Sequence, residues 1–321
     1  MSTQLSLSIA LATYNGERYL REQLDSIARQ TRLPDELVIF DDASVDSTSV
    51  IVRDFARCAP FVVRFHKNSE RLGSTRNFEA AIRACNGDII FLCDQDDVWY
   101  QDKMVLIEAC FTNDPGTGAV FTNADIVDQN LHSMGLRLWS AKTVRFTPKE
   151  QVQVAVGDAF GVLLKHCVVT GATMAFRSTY RNLVLPMSDI WVHDAWMAIL
   201  IAATSKLIAL PMPLIAYRQH SANQIGITHV RNPDRACAAI YGPQVLRYEA
   251  VRKRLLESVD CFPPGERNIH RLDEALVFLR ARAALPSDHW RRLPGTLHEL
   301  MTLRYHCYAD GFRSFRKDLL R

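Results

Sequence analysis

The chain has 321 residues, 48% of them apolar and 23% charged, with a formal net charge of +3. That fits a soluble globular protein of one large domain or two. Met1 to Gln4 lacks the basic region of a signal peptide, no apolar stretch reaches the roughly 18 residues of a spanning helix, and eight scattered cysteines form no C-x-x-C pair. A cytoplasmic protein with reduced thiols is expected, without disulfides or zinc fingers.

Leu5 to Ala12 reads as a first strand, followed at its carboxyl end by Thr13-Tyr14-Asn15-Gly16-Glu17, where Asn15-Gly16 is a turn signal. Glu17 to Gln30 has the apolar spacing of a helix, Leu37 to Phe40 is a second strand closed by Asp41-Asp42, and Asp46 to about Ala56 is a second helix. Phe61 to Phe65, Ser74 to Ala84 and Ile89 to Cys93 continue the alternation as strand, helix and strand. Strand and helix in turn predict a doubly wound, mostly parallel α/β sheet with helices on both faces. No G-x-G-x-x-G follows the first strand, so a dinucleotide fingerprint is absent.

Behind Gly87, the run Ile89 to Cys93 is apolar without alternation, the pattern of a strand buried on both faces. It ends in Asp94-Gln95-Asp96-Asp97. Three carboxylates this close repel one another unless something positive sits among them. Ligands in open α/β sheets bind at the carboxyl ends of strands, and Mg2+ typically takes one or two carboxylates plus substrate phosphates. One reading is a metal held by Asp94 and Asp96. The other is a solvated acidic turn, with Asp97 capping a helix from Trp99 to Phe111. Asp42 likewise reads either as an acceptor for a ribose or base N–H or as a helix cap.

Four segments, Ala12-Thr13-Tyr14-Asn15-Gly16, Asp41-Asp42-Ala43-Ser44-Val45-Asp46-Ser47-Thr48, Arg71-Leu72-Gly73-Ser74-Thr75-Arg76-Asn77-Phe78 and Asp94-Gln95-Asp96-Asp97, resemble family 2 glycosyltransferases of the GT-A fold in order and spacing. The likeness covers about residues 5–225 and is nearest in flavour to the rhamnosyltransferase-like branch. It implies an inverting transfer of a sugar from a nucleotide diphosphate, assisted by Mg2+ or Mn2+, with dTDP-rhamnose as one candidate donor. By the same resemblance Thr13, Tyr14, Asn15, Glu17 and Asp42 line the nucleotide pocket, Arg76, Asn77 and Gln95 approach the nucleotide or diphosphate, and Asp94 and Asp96 hold the metal.

Beyond this stretch, Ala119 to Asn123 reads as a strand, Asp125 to Thr147 as loop-rich, and Val168 to Arg177 as a strand with Gly171 at a point of close backbone approach. Asp194 opens a helix to Thr204. An acid there is an N-cap or the general base that inverting transfer requires, and the family places its base in a motif of this form. His193 is expected to orient or pack beside it. Lys206 to Ala209 and Leu214 to Tyr217 read as two short strands. Tyr217-Arg218-Gln219-His220 resembles the family's Y-R-x-H element, which implies His220 as a metal or diphosphate ligand and Arg218 as a neutraliser of diphosphate charge.

Residues 231–321 hold 17 Lys/Arg against 11 Asp/Glu, net +6, which leaves net −3 for residues 1–230. The expected division is a catalytic domain, 1–230, with a nucleotide-sugar half to about 125 and an acceptor half from 126, then a basic helical region, 231–321. Its helices are expected at about 235–258, 267–284 and 296–319. In the last, Leu297, Met301, Tyr305, Tyr308, Phe312, Phe315 and Leu319 form one apolar face that packs on the catalytic domain or a homodimer partner, or meets a membrane peripherally. A saccharide or lipid-linked acceptor is expected, and no nucleic acid. A nucleotidyltransferase acting on sugar phosphates and a non-catalytic sugar-binding relative are the alternatives.

Overall fold

The structure, a computed structural model, describes residues 4–220 and 236–320. Strands Leu7–Thr13 (β1), Glu36–Asp41 (β2), Val62–Lys67 (β3) and Ile89–Asp94 (β4) alternate with helices Leu20–Ala28 (α1), Thr48–Ala56 (α2) and Ser74–Ala84 (α3). The strands pair in parallel in the order β3-β2-β1-β4. In β4, Ile89, Phe91 and Cys93 enter a core shared with α1 and α2, while Ile90 and Leu92 enter another shared with α3. A strand covered on both sides has no wet face, which is why its sequence shows no alternation.

The second half of the sheet is mixed. Val98–Trp99 (β5), Lys103–Asn113 (α4), Thr117–Val127 (β6), Ser133–Arg137 (β7), Pro148–Ala155 (α5), Ala159–Leu163 (α6), Met174–Arg177 (β8), Arg181–Val184 (α7), His193–Thr204 (α8) and Lys206–Arg218 (β9) follow in the chain. The sheet runs on from β4 as β8-β6-β9-β5, with β7 on β6; β8 is antiparallel to both neighbours and β6 is parallel to β9.

Several sequence expectations are corrected here. The helix expected from Trp99 begins at Lys103, because Val98 and Trp99 pair with Ala216 and Ile215 of β9. Asp97 is therefore no helix cap. Lys206–Arg218 is one strand instead of two; it bulges at Pro211 to Pro213, where the register against β6 slips between Thr122 and Asn123. The stretch after Asp125 is not all loop, since it completes β6 and adds β7. Only Met174–Arg177 of the strand expected from Val168 pairs, and Gly171–Thr173 is a 3-10 turn.

Helices Cys237–Glu257 (α9) and Glu266–Ala283 (α10) put Tyr241, Tyr248, Leu255, Leu272 and Leu276 into the same core as α8. The long last helix of the sequence reading is three: His289–Met301 (α11), Arg304–Tyr308 (α12) and Phe312–Leu320 (α13). Left-handed backbone at Leu303 (φ 62°) and Gly311 (φ 57°) separates them. The breaks fold Tyr305 and Phe315 back onto Phe278 as a small separate core. The expected boundary at 230/231 and Ser221 to Gln224 of the Y-R-x-H segment lie outside the described residues.

Candidate active site

Parallel register aligns the strand ends that form the site. Thr13 lies opposite Asp41 and Ala12 opposite Asp94, so the carboxyl ends of β1, β2 and β4 share one rim. The loop after β1 is held by side chains from both sides. Gln95 accepts from the Tyr14 N–H (2.8 Å) and donates to the Tyr14 carbonyl (3.0 Å). A Cβ on Gly16 would stand 2.4 Å from Gln95 Oε1, so only glycine lets this clamp close. Asn15 turns with φ 47° and its Oδ1 accepts from the Val45 N–H at 3.1 Å. Glu17 accepts from the Ser47 N–H at 3.0 Å, which ties this loop to the start of α2; it does not line the cavity.

Asp42 is buried and accepts from Asn68 Nδ2 (3.1 Å) and from the backbone N–H groups of Leu72 (2.7 Å) and Gly73 (2.9 Å). A carboxylate has about four acceptor positions, so one remains for a ligand. Asn77 is also buried; it donates to the Phe40 carbonyl (2.8 Å) and accepts from Asn68 (2.9 Å), fixing the ends of β1 and β2. Arg76 leaves this group. Its guanidinium pairs with Glu79 and Asp189, each at 2.7 Å, outside the cavity wall.

The acidic turn after β4 is backed by a cation that the sequence reading did not single out. Lys103, fully buried, donates to the Ala172 carbonyl at 2.7 Å and sits 3.8 Å from the Trp99 ring centre. Burial pulls its pKa down to about 7, against the pull of Cys93, Asp97 and Asp94. The signal was the demand for positive charge among three acids, with a lysine in the first turn of the next helix. Burial, then the charges of Asp96 and Asp194, push Asp94 up to about 7. Asp97 is pushed well up by burial and by Asp96 and Asp94; its Oδ1 accepts from the Arg218 N–H at 2.9 Å, and its buried Oδ2 has no partner among the described residues.

Arg218 lies behind this turn, outside the cavity lining. Its guanidinium donates to the carbonyls of Asp96 and Gln129, both at 2.7 Å, and pairs with Glu22. His220 Nε2 meets Asp96 Oδ2 at 2.8 Å, with the imidazole 4.8 Å from the Tyr19 ring centre. Among the described residues no three His, Cys, Asp or Glu groups converge as a ready metal cage. The donor set fits the other mode of hard cations, in which one or two carboxylates act with phosphate oxygens, because Asp94 and Asp96 face the cavity at mutual electrostatic cost.

Asp194, in the first turn of α8, shares a cavity of about 960 Å³ with Asp94. Its Oδ2 accepts from the Gly171 N–H at 2.9 Å and its Oδ1 from the Ala195 N–H at 2.6 Å. The imidazole of His193 stacks on Phe78 at 4.1 Å and its Nε2 would stand 2.8 Å from a Cβ on Gly171. Burial holds its pKa down, and both ring nitrogens are without a partner among the described residues. The cavity wall also carries Arg18, Arg71, Lys165 and Arg247, none of them singled out for the site from sequence; Arg71 covers the Tyr14 ring at 4.0 Å.

Residues 8–167 match the family-wide profile "Glycosyl transferase family 2". The chain carries a glycosyltransferase family 2 domain. This glycosyltransferase is 28% identical over 225 residues to the dTDP-rhamnosyl transferase RfbG of Shigella flexneri, covering 67% of this chain and 73% of that protein. It is 33% identical over 104 residues to the abequosyltransferase RfbV of Salmonella typhimurium, covering 32% and 31%. The fold is shared with S. aureus TarS 1–349 solved with UDP-GlcNAc (TM-score 0.59, 15% identity, 94% of this chain and 82% of that one). It is shared also with the mannosyltransferase PcManGT of Pyrobaculum calidifontis solved with GDP-Man and Mn2+ (TM-score 0.53, 19% identity, 94% and 76%).

Proposed function

We propose that this glycosyltransferase moves a sugar from a nucleotide-diphosphate donor to a saccharide or lipid-linked acceptor with inversion, in cell-surface polysaccharide synthesis. The observation that carries the reading is one cavity lined by the Asp94 and Asp96 carboxylates and by a separately pinned Asp194. The nucleotide lies over Thr13, Tyr14, Asn15 and Asp42, with Arg18 and Arg71 toward the diphosphate. Asp94 and Asp96 hold Mg2+ or Mn2+, and His220 fixes the Asp96 carboxylate. The bound cation would act as a Lewis acid on the diphosphate oxygens.

Asp194 takes the proton of the acceptor hydroxyl, its orientation set by the two backbone N–H groups. The acceptor oxygen then bonds to the anomeric carbon as the bond to the diphosphate breaks on the opposite face. Lys103 and Arg218 act from behind, holding the acidic turn in place. dTDP-rhamnose is the donor favoured by the likeness to RfbG, and residues 1–230 and 231–321 are the proposed catalytic and accessory units. The cytoplasmic face of the membrane is the proposed location; no helix among the described residues is long and apolar enough to cross a membrane.

The test is nucleoside diphosphate release from a panel of dTDP-, UDP- and GDP-sugars, with Mn2+ or with EDTA. Diphosphate release with dTDP-rhamnose and Mn2+, abolished by EDTA, is the expected result. Pyrophosphate release from a nucleoside triphosphate and sugar phosphate would mean a nucleotidyltransferase. Donor binding by thermal shift without any turnover would mean a sugar-binding relative.

A further inference from the structure

Helix α11 is inside out. Its fully buried positions are polar, Arg292, Thr296 and Glu299, with Leu300 half-buried beside them against the Phe278 core. Arg292 donates to the carbonyls of Pro286 (2.6 Å), Ser287 (3.0 Å) and Asp318 (3.0 Å), and Thr296 to the Arg292 carbonyl (2.9 Å). Four of its large apolar side chains stand in solvent. Trp290 and Met301 are each 76% exposed, and Leu293 and Leu297 each 43%. Steps of three, four and four put these side chains on one stripe. The helix therefore spends its polar groups on packing and leaves its apolar stripe bare, the reverse of a surface helix in a globular protein.

We propose that this stripe is a docking surface for an anionic lipid bilayer. The stripe is flanked by basic side chains: Arg291 is exposed on the same helix, 3.8 Å from Asp288. Arg313, Arg316 and Lys317 are exposed on α13, which the Arg292–Asp318 contact ties to α11. Phe312 and Leu320 of α13 are exposed as well. Basic flanks around a Trp/Leu stripe, on a helix too short and polar to span, are the make-up of a helix that lies in the headgroup boundary. A second copy of the chain is the poorer occupant. A twofold contact through this face would bring two copies of one cation-rich surface together, a like-charge juxtaposition that disfavours the pair. The face differs from the one expected from sequence, since Tyr305 and Phe315 of that set are buried against Phe278. It stands apart from the catalytic reading, because binding is measured without donor or acceptor.

The test uses the full chain and vesicles of phosphatidylcholine, with or without an equal share of phosphatidylglycerol. Co-sedimentation with the anionic vesicles at low salt is expected, with release in 1 M salt as the Debye length falls from about 10 Å to about 3 Å. Trp290→Ala with Met301→Ser should lower the partition coefficient about tenfold or more, since both side chains are largely in solvent and supply apolar area to the bilayer. Arg313→Glu with Arg316→Glu should do the same by removing the charge term. Circular dichroism melts of both variants should match the parent. Collisional quenching by bromolipids should reach a tryptophan in the parent and lose it in Trp290→Phe, a variant with almost no packing change. No binding of the parent to anionic vesicles, equal binding to neutral ones, or binding indifferent to Trp290 and Met301 would overturn the proposal. So would a parent dimer in light scattering that the Trp290/Met301 variant dissociates.

Discussion

Two carboxylate sites in this molecule are built on opposite plans. In the C-terminal region Asp318 is fully buried and saturated: Tyr241 (2.5 Å), Arg282 (2.6 Å) and Tyr305 (2.9 Å) all donate to its oxygens. At the end of β4, Asp94 and Asp97 crowd Asp96, Asp97 Oδ2 has no partner among the described residues, and Lys103 spends its hydrogen bond on a backbone carbonyl. A closed network is a structural staple; an open one carries a cost that a proton or a bound cation relieves. The same chemical change should therefore have opposite consequences in the two places.

The largest effect is expected at the open cluster. Asp96→Asn should bring diphosphate release to background, with the far-ultraviolet circular dichroism unchanged and metal-dependent donor binding weakened in calorimetry. Full activity of that variant in excess EDTA would remove the metal from the site. Next comes Asp194→Asn, which deletes a proton acceptor and no proposed cation ligand. Turnover should fall about 100- to 10,000-fold while the donor Kd holds. A drop below tenfold would make Asp194 a helix-terminal group and nothing more.

The comparison sharpens with stability as the readout. Asp318→Asn leaves Arg282 buried beside a neutral partner, and should cost about 3 kcal/mol in urea unfolding with activity per folded molecule retained. Asp94→Asn should do the reverse, raising Tm by about 3 °C at pH 8 in EDTA while abolishing transfer. The sign follows from proton linkage. The folded protein keeps a proton on Asp94 up to about pH 7, whereas the unfolded chain releases it near the ordinary 3.8. Stability of the parent therefore falls as pH climbs through that window, and the gap to Asp94→Asn should widen from pH 4 to pH 7 and then level off. A gap that does not change with pH would mean that Asp94 is not strained by its neighbours.

The sequence by itself determined the parallel half of the sheet and the positions of its acids. There β1, β2 and β4 are buried on both faces, so each run of apolar residues is local and unbroken, and Asp41, Asp42 and Asp94 mark where the runs stop; only the edge strand β3 is partly exposed. Asp194 was legible for the same reason, as the acid opening an apolar helix. What the tertiary structure decided are partners far apart in the chain. Arg218 reaches Glu22, Asp96 and Gln129, and Arg76 turns to Asp189, and no local spacing encodes either choice. Local spacing makes Lys103 look like a solvated helix-start lysine; only the charge demand of the three acids points to it, and its burial is decided where Trp99 and Ala172 close over it. The orientation of α11 was decided in the same way. Periodicity reveals that a helix has an apolar side, but which side faces the protein depends on the buried carbonyls that Arg292 finds at Pro286, Ser287 and Asp318.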